Sequence, residues 1–348
     1  MNVSFSMLSA GDEPLYTADR QHPLPGVATE EAPISVTFRL DRFDSEFSAR
    51  TTLQDWQRIV GLRDHPQFLR GAGLYNREIP EFFAESLLIN KVATQFSRFQ
   101  MLVFALHLHD TADATVPTSG LTLSRLQGLC RTHKLASAGA VATFLSILLV
   151  AGYATAQRHR EDGRTVHLVL TEDFVATVER WTRIVVRAVD TIEPEGRLAE
   201  AHVALPRFGW DLRKGCAEAL LSGWKPVEPF PEVAHFMASH GGWMLMATCM
   251  AETMRAGGGE TIVPVSIDLA VLAKRLGGSR TQLRRLLEGA HAKGLLDAAP
   301  GNGRHVRLSE RMVASWLTSQ ASELAIYRQA GIAAQRAIGR TYTSPQKF

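Results

Sequence analysis

Apolar residues recur along the chain with two spacings, and the spacings predict the elements. Over 280–293, Leu283, Leu286, Leu287 and Ala290 follow the i, i+3, i+4, i+7 rule of a helix with one buried face. Thr281, Arg284, Arg285 and Glu288 fall mostly on the other side. Ser279 stands where an N-cap is needed, and Gly294 ends the helix. Upstream, 267–276 puts Leu269, Leu272, Ala273 and Leu276 on one face, with Ser266 as the expected cap and Gly277-Gly278 as a tight turn. The Met-, Leu- and Ala-rich stretch 236–255 predicts one long buried helix ended by Gly257-Gly258-Gly259, and 261–265 predicts a short strand. Downstream, 295–299 and 305–308 read as two strands around the hairpin turn Pro300-Gly301-Asn302-Gly303. Ser309 and Arg311 then open another helix.

The same order occurs once before. At an offset of 142, Ser124 meets Ser266, Ser137 meets Ser279, Val141 meets Leu283, Phe144-Leu145 meet Leu286-Leu287, and Gly152 meets Gly294. Met101, Phe104 and Ala105 fall on Trp243, Met246 and Ala247 at that offset. It shrinks to 140 at Gly163-Arg164/Gly303-Arg304 and to 138 at Thr171-Glu172/Ser309-Glu310, in stretches where loops tolerate deletion. We read a duplicated domain of about 100 residues. In the first copy, 85–110 is the expected first helix, 122–133 the second and 138–151 the third. The hairpin strands are 153–159 and 165–170, around Arg160-Glu161-Asp162-Gly163, and 174–192 is the closing helix.

Helix, strand, helix, tight turn, helix, two-stranded hairpin, helix is the order of a winged helix. The run from Ser137 through Val141, Phe144-Leu145 and Leu148 to Gly152-Tyr153, with Leu170-Thr171-Glu172 after a charged hairpin, resembles MarR-type regulators. So does Ser279 through Leu283 and Leu286-Leu287 to Lys293-Gly294-Leu295. The resemblance covers about 200 residues and consists of apolar patterns, which specify fold better than function. It implies operator binding, often as a dimer and often under control of a small-molecule effector. Two departures stand out: this chain carries two modules, and its first recognition helix has no basic residue. The expected fold class is mainly α with small β-wings (α+β), as two tandem winged helix-turn-helix domains with an N-terminal extension. The expected divisions are a polar arm (1–34), a cap (35–83, a strand at 35–42 and a helix at 47–62), module 1 (84–192), a packed Pro/Trp-containing linker (193–226, helical at 212–221), module 2 (227–330) and a tail (331–348) in which a helix persists to 340.

Charge sharpens this reading. The net charge is only +3, but residues 121–171 hold six Lys/Arg against two acids, and 263–311 hold nine against four. The rest of the chain is therefore acidic, and positive charge gathers in the two modules, as two phosphate-facing surfaces require. Arginine pairs bidentately with guanine and glutamine with adenine in the major groove. Arg280, Thr281, Gln282, Arg284 and Arg285 supply that chemistry, with Ser279 at a phosphate-accepting helix start. Arg304 and His305 on the second wing, and Arg158, His159, Arg160 and Arg164 on the first, are expected to hold backbone or minor groove. The first recognition helix offers only Ala138, Gly139, Ala142, Thr143 and Ser146 on its outer face. Either it lies close to DNA, with Ser137 and Thr143 touching it, or that face is buried against the protein.

Other chemistry is weak. Cys130, Cys216 and Cys249 form no CxxC pair and read as core thiols. His107 and His109 lie two apart, so one helix cannot aim both at a metal. Met237, Trp243, Met244, Met246, Met250 and Met254 either line an adaptable pocket or form core, and core is favoured. No nucleotide-binding, metalloprotease or nucleophile-elbow motif occurs, so no enzyme, cofactor or metal is expected. No signal peptide or membrane span is read, which predicts a cytoplasmic, nucleoid-associated protein. The leading expectation is a transcriptional regulator binding double-stranded DNA, as a monomer with pseudo-dimeric modules or as a homodimer. The alternatives are a replication-initiation or partition-type protein and a protein–protein adaptor.

Overall fold

A computed structural model describes residues 39–343 apart from 86, 94, 114, 117–118, 159–165, 258–261 and 299–304, with backbone alone at 87, 88, 91 and 339–343. All belong to the unit Ile34–Phe348; the other unit, Met1–Pro33, lies outside the described residues, and with it nearly all of the expected arm. A 3-10 turn at Leu40–Phe43 leads into helices α1 (Asp44–Ser48), α2 (Leu53–Arg63), α3 (Phe68–Ala84), α4 (Leu87–Ala93) and α5 (Phe96–Asp110). Then come α6 (Leu123–Thr132), α7 (Ala138–Val150), strands β1 (Ala154–Arg158) and β2 (Val166–Leu170), and α8 (Glu172–Ile192). Helices α9 (Leu198–Ala204), α10 (Phe208–Leu221) and α11 (Pro231–Met237) precede α12 (Gly242–Ala256). The order closes with β3 (Val265–Ser266), α13 (Leu269–Leu276), α14 (Arg280–Ala292), β4 (Leu296–Ala298), β5 (His305–Leu308) and α15 (Glu310–Thr343). The described residues are thus mainly α with small antiparallel sheets. None of their helices is long and apolar enough to cross a membrane.

Two stretches share one plan. Ser137 and Ser279 cap α7 and α14, accepting from the backbone N–H of Ala140 and Gln282. Gly152 and Gly294 leave those helices at φ of 70° and 69°, a left-handed turn that a side chain would strain. Tyr153 N–H then returns to Leu148 C=O (2.8 Å) and Leu295 N–H to Ala290 C=O (2.9 Å). Where the hairpins close, Thr171 N–H donates to Tyr153 C=O and Ser309 N–H to Leu295 C=O. In the second stretch the strand order is β3-β5-β4, all antiparallel. In the first, Thr122 bridges His167 of β2, which pairs with β1, so the order is the same.

A shared core joins the stretches. Helix α3 packs against α8 and α12, and α15 packs against α2, α8 and α10. At Gly71 a Cβ would lie 2.5 Å from Ile192 Cγ1 and 2.6 Å from the Ala188 carbonyl, so glycine is what lets α3 meet α8. Asn76 is fully buried and its polar atoms are used: Nδ2 donates to Ala72 C=O and Gln320 Oε1, while Oδ1 accepts from Trp316 Nε1 and Gln320 Nε2.

Several expectations need correction. The helix expected over 236–255 is two helices, because Gly241 takes φ 74° and a Cβ on Gly242 would meet the Phe236 carbonyl at 2.0 Å. The one expected over 85–110 is also two, with Gln95 in extended backbone between α4 and α5. Helix 47–62 is likewise interrupted between α1 and α2, where Thr52 caps the second piece. Residues 40–42, read as part of a strand, lie in a 3-10 turn, and 35–38 fall outside the described residues. Asp268, not Ser266, caps α13; Ser266 is in β3 while its match Ser124 sits inside α6. The 193–226 linker is packed through α10, whose Trp210 Nε1 donates to Asp110 C=O, and through Trp224 Nε1, which donates to Ser322 Oγ. The helix expected to persist to 340 is present, since α15 runs from Glu310 to Thr343.

Candidate nucleic-acid interface

The face of α14 is set by its core. Leu283, Leu286, Leu287 and Ala290 are buried, which turns Arg280, Thr281, Gln282, Arg284, Arg285 and Glu288 outward, all exposed. Ser279 Oγ accepts from Gln282 N–H at 3.0 Å, leaving its hydroxyl hydrogen for an outside acceptor. The unsatisfied N–H groups of the first turn add positive potential there. Two of the reading side chains already have partners within the protein. Gln282 Nε2 donates to the His240 carbonyl at 3.2 Å, and Arg284 Nε stands 3.4 Å from Glu288 Oε1. Both interactions are at the surface and would have to be exchanged for a base edge. Arg285 and Thr281 border a shallow groove with Ser279, Gln282, His235 and Ser239.

Beneath that groove, His235 Nε2 lies 3.1 Å from the Leu286 carbonyl, so this nitrogen carries hydrogen. Its Nδ1 accepts from Lys293 Nζ at 3.1 Å. Burial and the Lys293 charge push its pKa down, against the bond to the Leu286 carbonyl, which raises it. The ring therefore supports α14 as a neutral strut.

The outer face of α7 is different in kind. Ala138, Gly139, Thr143 and Ser146 are exposed and Ala142 is half-buried, so this face is not buried against the described residues. Its C-terminal end shows Val150, 90% exposed. On the hairpins, Arg158 and His305 are exposed, whereas His159, Arg160, Arg164 and Arg304 lie outside the described residues.

Four cations escaped the sequence reading. Lys274 and Arg275 end α13, and Arg131 and Lys134 end α6; all are exposed and stand at the turn before α14 or α7. They lay inside the two basic windows, but only the turn geometry puts them beside the helix starts. Lys134 at φ 53° and Gly277 at φ 63° make those turns.

The chain matches no protein-family model, no curated protein and no solved structure.

Among the described residues no cluster of three or more His, Cys, Asp or Glu is placed to hold a metal. His109 Nδ1 sits 3.1 Å from Asp110 Oδ1, and Asp110 in turn holds Arg213. Cys130, Cys216 and Cys249 are buried, and desolvation raises each thiol, Cys130 to about 11, so none is a ready nucleophile. Met244, Met246, Met250 and Met254 are core, as favoured, whereas Met237 and Trp243 line a cavity, the alternative that was not favoured.

Proposed function

We propose that the chain is a transcriptional regulator that binds double-stranded DNA through two tandem winged helices, 87–192 and 231–343. The observation that carries this is α14: a capped helix whose buried leucine face turns three arginines and Thr281 outward, with Lys274 and Arg275 beside its start. A protruding basic helix after a tight turn, followed by a hairpin, suits the major groove. The resemblance to MarR-type regulators supports the same reading. Helices α8 and α15, which close the two stretches, pack on each other, as the two halves of a pseudo-dimer would.

The two halves divide the work. Helix α14 reads bases through Arg280, Arg284 and Arg285. The first stretch holds backbone through Arg131, Lys134 and its hairpin, while the small face of α7 allows close approach without long side chains. The bound site is therefore asymmetric. Selection from random duplex DNA with the purified protein tests this. A single enriched motif, abolished in an Arg280→Ala/Arg284→Ala/Arg285→Ala variant, is the expected result. Binding with no enrichment would leave only a non-specific nucleic-acid role, and no salt-sensitive binding at all would favour a protein–protein adaptor.

A further inference from the structure

A cavity of about 60 Å³ lies where helices of both stretches meet, walled by α4, α5, α10, α11, α12 and α15. Phe96, Phe99, Trp224, Trp243, Trp316 and Tyr327 are the aromatic residues of its wall. One carboxyl, Glu323 on α15, enters this aromatic surface. Its Oε1 accepts from Tyr75 Oη at 2.9 Å, and the residue is half-buried. Among the described lining residues there is no Lys, Arg or His. Arg213, whose charge acts on the lining residues Cys216 and Tyr327, is itself paired with Asp110 and Glu179.

A buried carboxyl without a cation is costly to ionise, and aromatic faces attract cations. We infer that this cavity binds a small alkylamine as its ammonium ion, with Glu323 as counter-ion and the aromatic rings as its cage. The free volume of about 60 Å³ is well below the roughly 150 Å³ that accepts a benzene ring, so the ligand is an amine of about two to three heavy atoms. Trp224, Pro226 and Val227 line it from a loop whose Ser222, Gly223, Lys225 and Glu228 face solvent.

The groups around Glu323 favour this occupant. Burial raises its carboxyl to about 7, only partly offset by the Tyr75 hydroxyl. Tyr75 from α3, Cys216 from α10 and Tyr327 from α15 are themselves pushed up by burial and stay neutral. The lining from α4, α5, α11 and α12 contains no ionisable side chain. An arriving ammonium thus meets a carboxyl that ionises near neutrality, and its binding releases the carboxyl proton to solvent.

Ethylamine and ethanol, equal in shape, test this without DNA, so the result is independent of the DNA-binding reading. Tryptophan fluorescence and calorimetry at pH 6 and pH 8 are the readouts. We expect saturable ethylamine binding that tightens about tenfold from pH 6 to pH 8, following the ionised fraction of a group titrating near 7. At pH 8 the amine should bind at least about tenfold more tightly than the alcohol, a gap of about 1.4 kcal/mol. Glu323→Gln should erase both the preference and the pH dependence. Equal binding of amine and alcohol, no saturable response, no pH dependence, or a preference that survives in Glu323→Gln would each overturn the inference. If that variant does not fold, the pH dependence and the amine-to-alcohol ratio of the unsubstituted protein decide the matter.

Discussion

Helices α7 and α14 occupy the same place in the same plan, and their inner faces are interchangeable: a serine cap, Val141/Leu283, Phe144/Leu286, Leu145/Leu287 and a left-handed glycine at the exit. Their outer faces have nothing in common. One displays three arginines; the other displays alanine, glycine, threonine and serine. The buried pattern fixes where a helix stands, and leaves its outward chemistry free. A duplicated frame can therefore hold two different roles, and similarity between the copies says little about whether both read DNA.

The comparison can be broken most directly at α14. Replacing Arg280, Arg284 and Arg285 with alanine should cost about 1–3 kcal/mol for each base that is no longer read, and abolish the preference for the selected site over random duplex. The matching change on α7, Thr143→Ala with Ser146→Ala, should leave that preference nearly intact. Equal effects from the two variants, measured by titration on both DNAs, would show that α7 reads bases too.

A smaller and different effect is expected from the first hairpin. Neutralising Arg158 with Arg160 and Arg164 should weaken specific and random binding alike. It should also reduce the slope of log affinity against log salt by about 0.9 for each phosphate no longer neutralised. Binding across a salt series distinguishes this from the α14 variant, whose slope should change less than its specificity.

The shared frame has its own test. Ser137→Ala and Ser279→Ala each remove a cap and should each cost about 0.5–2 kcal/mol in denaturant unfolding. Similar costs sharpen the equivalence of the two helices. Ser279→Ala alone should also weaken DNA binding. The smallest effect concerns pH. His235 is held neutral under α14, with its pKa below the ordinary value. The unfolded chain therefore takes up more protons, so this contribution is complete above about pH 6.5 and is lost as pH falls below it. Amide protection factors in α14, taken relative to intrinsic exchange at each pH, should fall between pH 7 and 5.5, and His235→Gln should flatten that fall.

Much of this frame could be read from the sequence, because caps, leucine spacing and turn glycines act locally. Ser279, Leu283 and Gly294 declare α14 without help from the rest of the chain. The errors arose where distant packing overrides the local pattern. The break before α12 follows from Gly242 meeting the Phe236 carbonyl, and neither residue announces it. The cap of α13 moved from Ser266 to Asp268 because Ser266 was taken into a strand by pairing with His305. For the candidate interface, residue types identified the arginines of α14, but Lys274 and Arg131 became relevant only once the turns placed them beside a helix start. The cavity was only partly legible: the stretch with Met237 and Trp243 suggested a pocket, but the other walls come from five further elements that no single stretch of sequence brings together.

Asn76 lies buried on α3 and meets its partner on α15 across 244 residues of chain. During synthesis at about 5–20 residues per second, that amide waits roughly 12–50 s for Gln320 to be made. Helices α2 and α3 are made before α15, which packs on α2 and bonds to Tyr75 and Asn76 of α3. The first stretch must therefore leave the ribosome as an unfinished surface. A chain stalled before α15 would be an aggregation hazard, not a smaller working protein.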